Sequence, residues 1–163
     1  MSVIVRRATR KDARTVAEMA IKLAQQHVGY DSQRFSELAP LEQAESYYGS
    51  QTETGDATVL VAELDGKIVG FAYIQYEAKD YANLLETAAW LHDIYIAEAA
   101  RGQNAGKLLI EKSIEAAQKL GADKLMLSVA AKNEFAKEFF ERNGFKETMV
   151  EMMLDLTNSK DND

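Results

Sequence analysis

The chain has 163 residues and a mass of 18.2 kDa, enough for one domain with a core of its own. Its 47% hydrophobic and 28% charged residues are ordinary for a globular fold, with no run of about 18 apolar residues to span a membrane and no apolar signal stretch near Met1. A net charge of −7 argues against nucleic acid as the main partner, and the absence of cysteine removes both a disulfide framework and a thiolate nucleophile.

Residues 3–8 read as a first strand, followed by Thr9 and Asp12 in the spacing of a capping box, with Asp in place of Glu or Gln. Ala13, Val16, Ala17, Ala20 and Leu23 then recur at helical spacing while Arg10, Arg14, Glu18 and Lys22 stay polar. Residues 28–36 read as a loop, 38–48 as a second helix with Pro40 near its start, and 51–56 as a loop. Two β-rich runs, 58–64 and 67–76, flank Asp65-Gly66, a strong hairpin signal. A polar connection, 77–86, leads to a strand at 90–97 and then to a helix at 103–120, closed by Gly121 as a C-cap. Residues 124–130 are nearly continuously apolar, as a strand covered on both faces should be. Ala136, Phe139 and Phe140 give a last helix its buried stripe, 145–156 form a terminal strand region, and 157–163 form a polar, disordered tail. These elements imply a single domain over 1–156. Its α/β architecture is a mixed sheet of about seven strands with helices on both faces and a right-handed crossover within 90–130.

Chemistry concentrates in Arg101-Gly-Gln-Asn-Ala-Gly106-Lys107, where a strand hands over to a helix. The first turn of a helix offers unpaired N–H groups and a positive dipole end to an anion. Only Gln103, Asn104 and Ala105 separate the glycines, and Leu108 follows Lys107, so this is not a P-loop. Nor does it match G-x-G-x-x-G after a first strand.

The spacing resembles the pyrophosphate loop of the GNAT N-acetyltransferases, Arg/Gln-x-x-Gly-x-Gly/Ala. Arg101 fills its first position and Gly106 its last, while Asn104 stands where the family usually has Gly. Asn accepts a left-handed backbone better than most residues. Residues 91–97 resemble the family's central strand, 125–129 its next strand, and Asn133 through Ala136, Phe140, Gly144 and Phe145 its N-x-x-A-x-x-[FL]-Y-E-x-x-G-F ending.

That resemblance implies acetyl transfer from acetyl-CoA to an amine, with no metal. Backbone N–H groups of Gln103, Asn104, Ala105, Gly106 and Lys107 would then hold the pyrophosphate, with Gly102 in the loop and charge from Arg101 and Lys107. Ile94, Tyr95 and Ile96 would lie beside the pantetheine arm, the Ile94 or Ile96 N–H serving the thioester carbonyl. Asn133 would contact the arm. Phe140 takes the place of the family's usual Tyr acid, leaving Tyr95, Tyr76 or Tyr73 to protonate the thiolate if anything does. For the base, Asp93 is preferred over His92, with Glu77 and Glu98 behind them; alternation along a strand lets only one of Asp93 and His92 face the cleft. Tyr30, Asp31, Tyr47, Tyr48, Glu77 and Asp80 would line the acceptor pocket. The acidic charge is compatible with a small cationic amine, with polyamines, aminoglycosides, amino acids and protein N-termini all open. A cytoplasmic setting fits, and homodimers are common in the family. The competing expectation is a CoA-binding regulatory module that has lost catalysis.

Overall fold

The computed structural model describes residues 2–157. Five strands, β1 (Ile4–Arg7), β2 (Ala57–Leu64), β3 (Lys67–Glu77), β4 (Ala88–Ile96) and β5 (Leu125–Met126), form one sheet in sequential order. Pairing is antiparallel from β1 to β4 and parallel between β4 and β5. Helices α1 (Ala13–Tyr30) and α2 (Leu41–Gln51) cover one face, and α3 (Ala105–Lys119) and α4 (Glu134–Arg142) cover the other.

The two faces follow from the period of two along each strand. On β2, Val59 and Val61 pack with Val16, Ala17 and Phe71 under α1 and α2. Leu60 and Ala62 pack with Ile74, Leu109 and Ile110 under α3. Phe71, Ile74, Leu109 and Ile110 are fully buried, and each such side chain contributes about 1.5–3 kcal/mol. Covering both faces explains why β2 and β3 carry so few polar residues.

Local signals hold where the chemistry is short-range. Asp65 and Gly66 adopt φ of 53° and 76°, the pair of left-handed residues that a two-residue hairpin turn demands. The Asp12 carboxylate accepts the Thr9 N–H at 2.8 Å and an Arg6 hydrogen bond at 2.8 Å, so the shorter Asp serves in the capping box. α1 runs three residues beyond expectation, through Gly29 and Tyr30, and closes with the Asp31 N–H donating to the His27 carbonyl at 3.1 Å, while the His27 ring packs edge-on against Tyr30 and Phe35. α2 starts after Pro40, which serves as its N-cap residue.

The expected count of about seven strands is corrected to five among the described residues. Parallel pairing of β5 to β4 ends at Trp90↔Met126, so 127–130 have strand-like sequence but no partner strand. Residues 145–156 likewise form no strand. There, Glu151 pairs with Arg34 and the Asp155 carboxylate accepts from Gln33, while Val150, Met152 and Leu154 are exposed. The tail beyond Thr157 lies outside the described residues. No helix of the described chain is long and apolar enough to cross a membrane.

Candidate active site

The site is set by where the sheet comes apart. β4 pairs with β3 from Ala88 to Ile96 but with β5 only at Ala89 and Trp90. Beyond Trp90 its other edge opens into a fork. The Ala97 N–H donates to the Val69 carbonyl at 2.7 Å, so alternation turns the Tyr95 N–H toward β3 and the N–H groups of Ile94 and Ile96 toward the fork. Gly70 permits this packing, since a Cβ there would come within 2.7 Å of the Tyr95 carbonyl oxygen and 2.8 Å of Ile96 Cδ1.

A cavity of about 220 Å³ lies at the fork, lined by Glu77, Trp90, Leu91, His92 and Ser128. The register of β3 and β4 shifts here, Tyr73 pairing with Asp93 and Ile74 with Leu91. His92 is therefore the extra residue of a β-bulge. The bulge brings His92 and Asp93 to the same side as Tyr73, yet of the two only His92 lines the cavity, so one residue faces it as expected, and it is not the preferred Asp93. The His92 ring lies 5.7 Å from that of Tyr73, and Asp93 accepts a 2.7 Å hydrogen bond from Tyr48, whose ring is 5.8 Å from the same Tyr73.

The two side chains have different surroundings. His92 is exposed and bonds through Nε2 to Glu77 Oε1 at 2.5 Å, with the Trp90 ring stacked beside it at 6.1 Å. Asp93 is sequestered, and its carboxyl is held above the usual range because burial penalises its charge, while the Tyr48 hydrogen bond works the other way. Burial and the Asp93 charge push the Tyr48 phenol up in turn. The Tyr73 hydroxyl sits between Tyr47 Oη at 2.8 Å and Gln75 Oε1 at 2.7 Å, and burial, then the Tyr47 bond, raises its pKa. A phenol with a raised pKa is a poorer proton donor. Tyr95 is not brought to the cavity; it packs in the core beneath α1 and α2.

At the other end of the fork, Gly102 and Asn104 both take left-handed backbone, φ 79° and 66°. Asn104 is the N-cap residue of α3 but makes no side-chain cap bond, so the first-turn N–H groups stay open. A Cβ on Gly102 would meet nothing within 4 Å. Arg101 and Lys107 have no ion-pair partner among the described residues. Open donors, free space and two unpaired cations fit a pyrophosphate. Gly106 has a packing role as well, since a Cβ there would lie 3.2 Å from Phe139 Cζ.

Other expected residues are committed to the fold. Asn133 Oδ1 caps α4 by accepting from Ala136 N at 3.1 Å. Phe140 is buried among Phe139 and Phe145. Asp31 and Asp80 shape their own loops by accepting from Gln33 N and Ala82 N. Trp90 and Ser128 had no site signal in the sequence, because only the parting of β4 and β5 brings them together.

Known proteins resemble this chain in sequence and in fold. A family model described as Acetyltransferase (GNAT) family matches residues 13–145. An uncharacterized N-acetyltransferase of Methanocaldococcus jannaschii is 36% identical over 91 residues, covering 55% of this chain and 39% of that relative. One from Bacillus subtilis is 25% identical over 113 residues, covering 69% of this chain and 74% of the relative. The chain thus spans well under half the length of the first of these. Among solved structures, a mutant of the BH1408 protein from Bacillus halodurans superposes with a TM-score of 0.81 at 24% identity, covering 94% of this chain and 99% of that one. An aminoglycoside N-acetyltransferase in complex with CoA gives 0.76 at 16% identity, covering 94% and 93%. At such identities these two likenesses are of fold.

Proposed function

Because the chain belongs to the GNAT acetyltransferase family, we propose that it is an acetyl-CoA-dependent N-acetyltransferase whose reaction runs at the fork beside β4. One juxtaposition carries the reading: the open edge of β4 leads directly into the uncapped start of α3, with Arg101 and Lys107 beside it. Acetyl-CoA, when bound, supplies the acetyl group as a thioester. Residues Gln103 to Lys107 would hold its pyrophosphate through backbone N–H groups, and Asn133 retains its amide nitrogen for the pantetheine arm. The Ile94 and Ile96 N–H groups, aimed into the fork, are preorganised donors for a carbonyl oxygen gaining charge; such a donor is worth about 10²–10³ in kcat.

A primary amine has a pKa of about 10.4 and must lose a proton before attack. His92 is the acceptor of that proton, since it lines the cavity and Glu77 fixes its ring. Asp93 is a positioning residue behind it, tying β4 to Tyr48. With Phe140 and Tyr95 in the core and Tyr73 a weakened acid, the thiolate departs without a proton from any of these three positions. The chain has no cysteine to carry the acetyl group, so the amine attacks directly in a ternary complex.

Thermal melting with acetyl-CoA, free CoA, ATP and NAD tests the cofactor. Ligand at about 100 times its dissociation constant adds about 2.7 kcal/mol, several degrees at this size. A shift confined to the CoA compounds, with thiol release on adding amines, supports the enzyme. A shift without turnover leaves a CoA-binding regulatory module, and no shift defeats both.

A further inference from the structure

We infer that the cavity at the fork takes the terminal ammonium of an unbranched aminoalkyl chain, read by Trp90, His92 and Glu77; this rests on the acetyl-transfer reading for its catalytic meaning. Size is the first argument. The cavity is about 220 Å³, below the roughly 300–1,000 Å³ of pockets that enclose whole drug-sized ligands. It has room for an amino group and a few methylenes, while the rest of the acceptor stays outside.

Wall chemistry is the second. The Trp90 and His92 rings are 6.1 Å apart and nearly parallel at 16°, and the Tyr73 ring lies 5.7 Å from His92 at 31°. Trp90 and His92 form the aromatic wall of the cavity as a stacked pair, with Leu91 adding apolar surface, while Tyr73 is buried and backs His92 from the core. Such a wall attracts a cation over its faces and covers a straight methylene chain, but a carbon branched at the amine would stand off from it. Glu77 supplies the only charge of fixed sign in the lining, and it is negative. Lys79, two residues on, is drawn away into an ion pair with Glu86 at 2.9 Å and onto the Tyr81 ring. Ser128 adds a neutral polar residue to the lining.

Trp90 is the chain's single tryptophan, so intrinsic fluorescence reports on this wall directly. The test is a fluorescence titration of the protein alone with n-butylammonium and with sec-butylammonium, against potassium chloride at matched ionic strength. A saturable change for n-butylammonium, with about tenfold tighter binding than the branched isomer and none for potassium chloride, is expected. Glu77→Gln and Glu77→Ala, each checked for an unchanged melting temperature, should weaken n-butylammonium about tenfold. Equal binding of the two isomers, no saturable change, or no effect in a folded Glu77 variant overturns the inference. This readout needs no cofactor or turnover, so it stands apart from failure of acetyl transfer, which would appear as absent CoA binding or thiol release.

Discussion

Tyr48 donates a 2.7 Å hydrogen bond to Asp93, tying α2 to β4 immediately behind the residue that lines the cavity. Burial holds the Asp93 carboxyl above its usual range. The folded state therefore binds this proton more tightly than the unfolded state. Stability from the group is complete below the unfolded carboxylate pKa of about 3.9 and is lost as pH rises through the folded value. Asp93→Asn keeps an oxygen for Tyr48 and removes the charge. Melting curves across pH should show D93N a few degrees more stable than the parent at pH 8, the gap closing toward pH 4. A gap independent of pH would mean that Asp93 folds without a shifted titration.

His92 carries the proton step in this account, and being exposed it should contribute little to folding. His92→Gln keeps a polar side chain within reach of Glu77 but lacks imidazole basicity. Steady-state rates should show kcat reduced by about 10²–10⁴, with the KM for acetyl-CoA and the melting temperature nearly unchanged. Full activity in H92Q would remove His92 from the chemistry and return the base to Asp93.

The contrast between these neighbours shows what could be read from the chain. The hairpin at Asp65-Gly66, the apolar stripe of α1 and the loop before α3 were legible, because each depends on residues a few positions apart. So was the left-handed residue at position 104, since Asn tolerates that backbone. The bulge at His92 was not legible, because a bulge is a property of register between two strands. Strict alternation consequently assigned His92 and Asp93 to opposite faces. The pattern of 127–130 and 145–156 predicts strands, yet a strand also needs a partner, and β5 leaves β4 after Met126. Trp90 and Ser128 enter the site only through that divergence.

Gly70 pairs with Ile96 across β3 and β4, and its missing side chain lets the Tyr95 carbonyl approach to where a Cβ would be 2.7 Å away. Backbone cannot yield there as a flexible side chain could. Gly70→Ala should cost about 1–3 kcal/mol by overpacking, read as a lower midpoint in urea with an unchanged slope. It should also blunt the acetyl-CoA thermal shift, because the displaced strand carries the Ile94 and Ile96 N–H groups. Parent-like stability in G70A would show that β3 and β4 can separate freely at this point.

Asn104 adopts φ 66° and ψ 11° at the start of α3 without capping it through its side chain. Its conformation, more than its amide, is what the loop needs. Asn104→Gly should therefore preserve the acetyl-CoA shift. Asn104→Val forces a β-branched residue into left-handed backbone at a cost of about 1–3 kcal/mol, so it should lower the melting temperature by several degrees and weaken the shift together. If N104G loses cofactor binding while N104V keeps it, the amide itself makes the contact and the conformational account fails. If neither substitution alters the shift, the pyrophosphate is held elsewhere than at the first turn of α3.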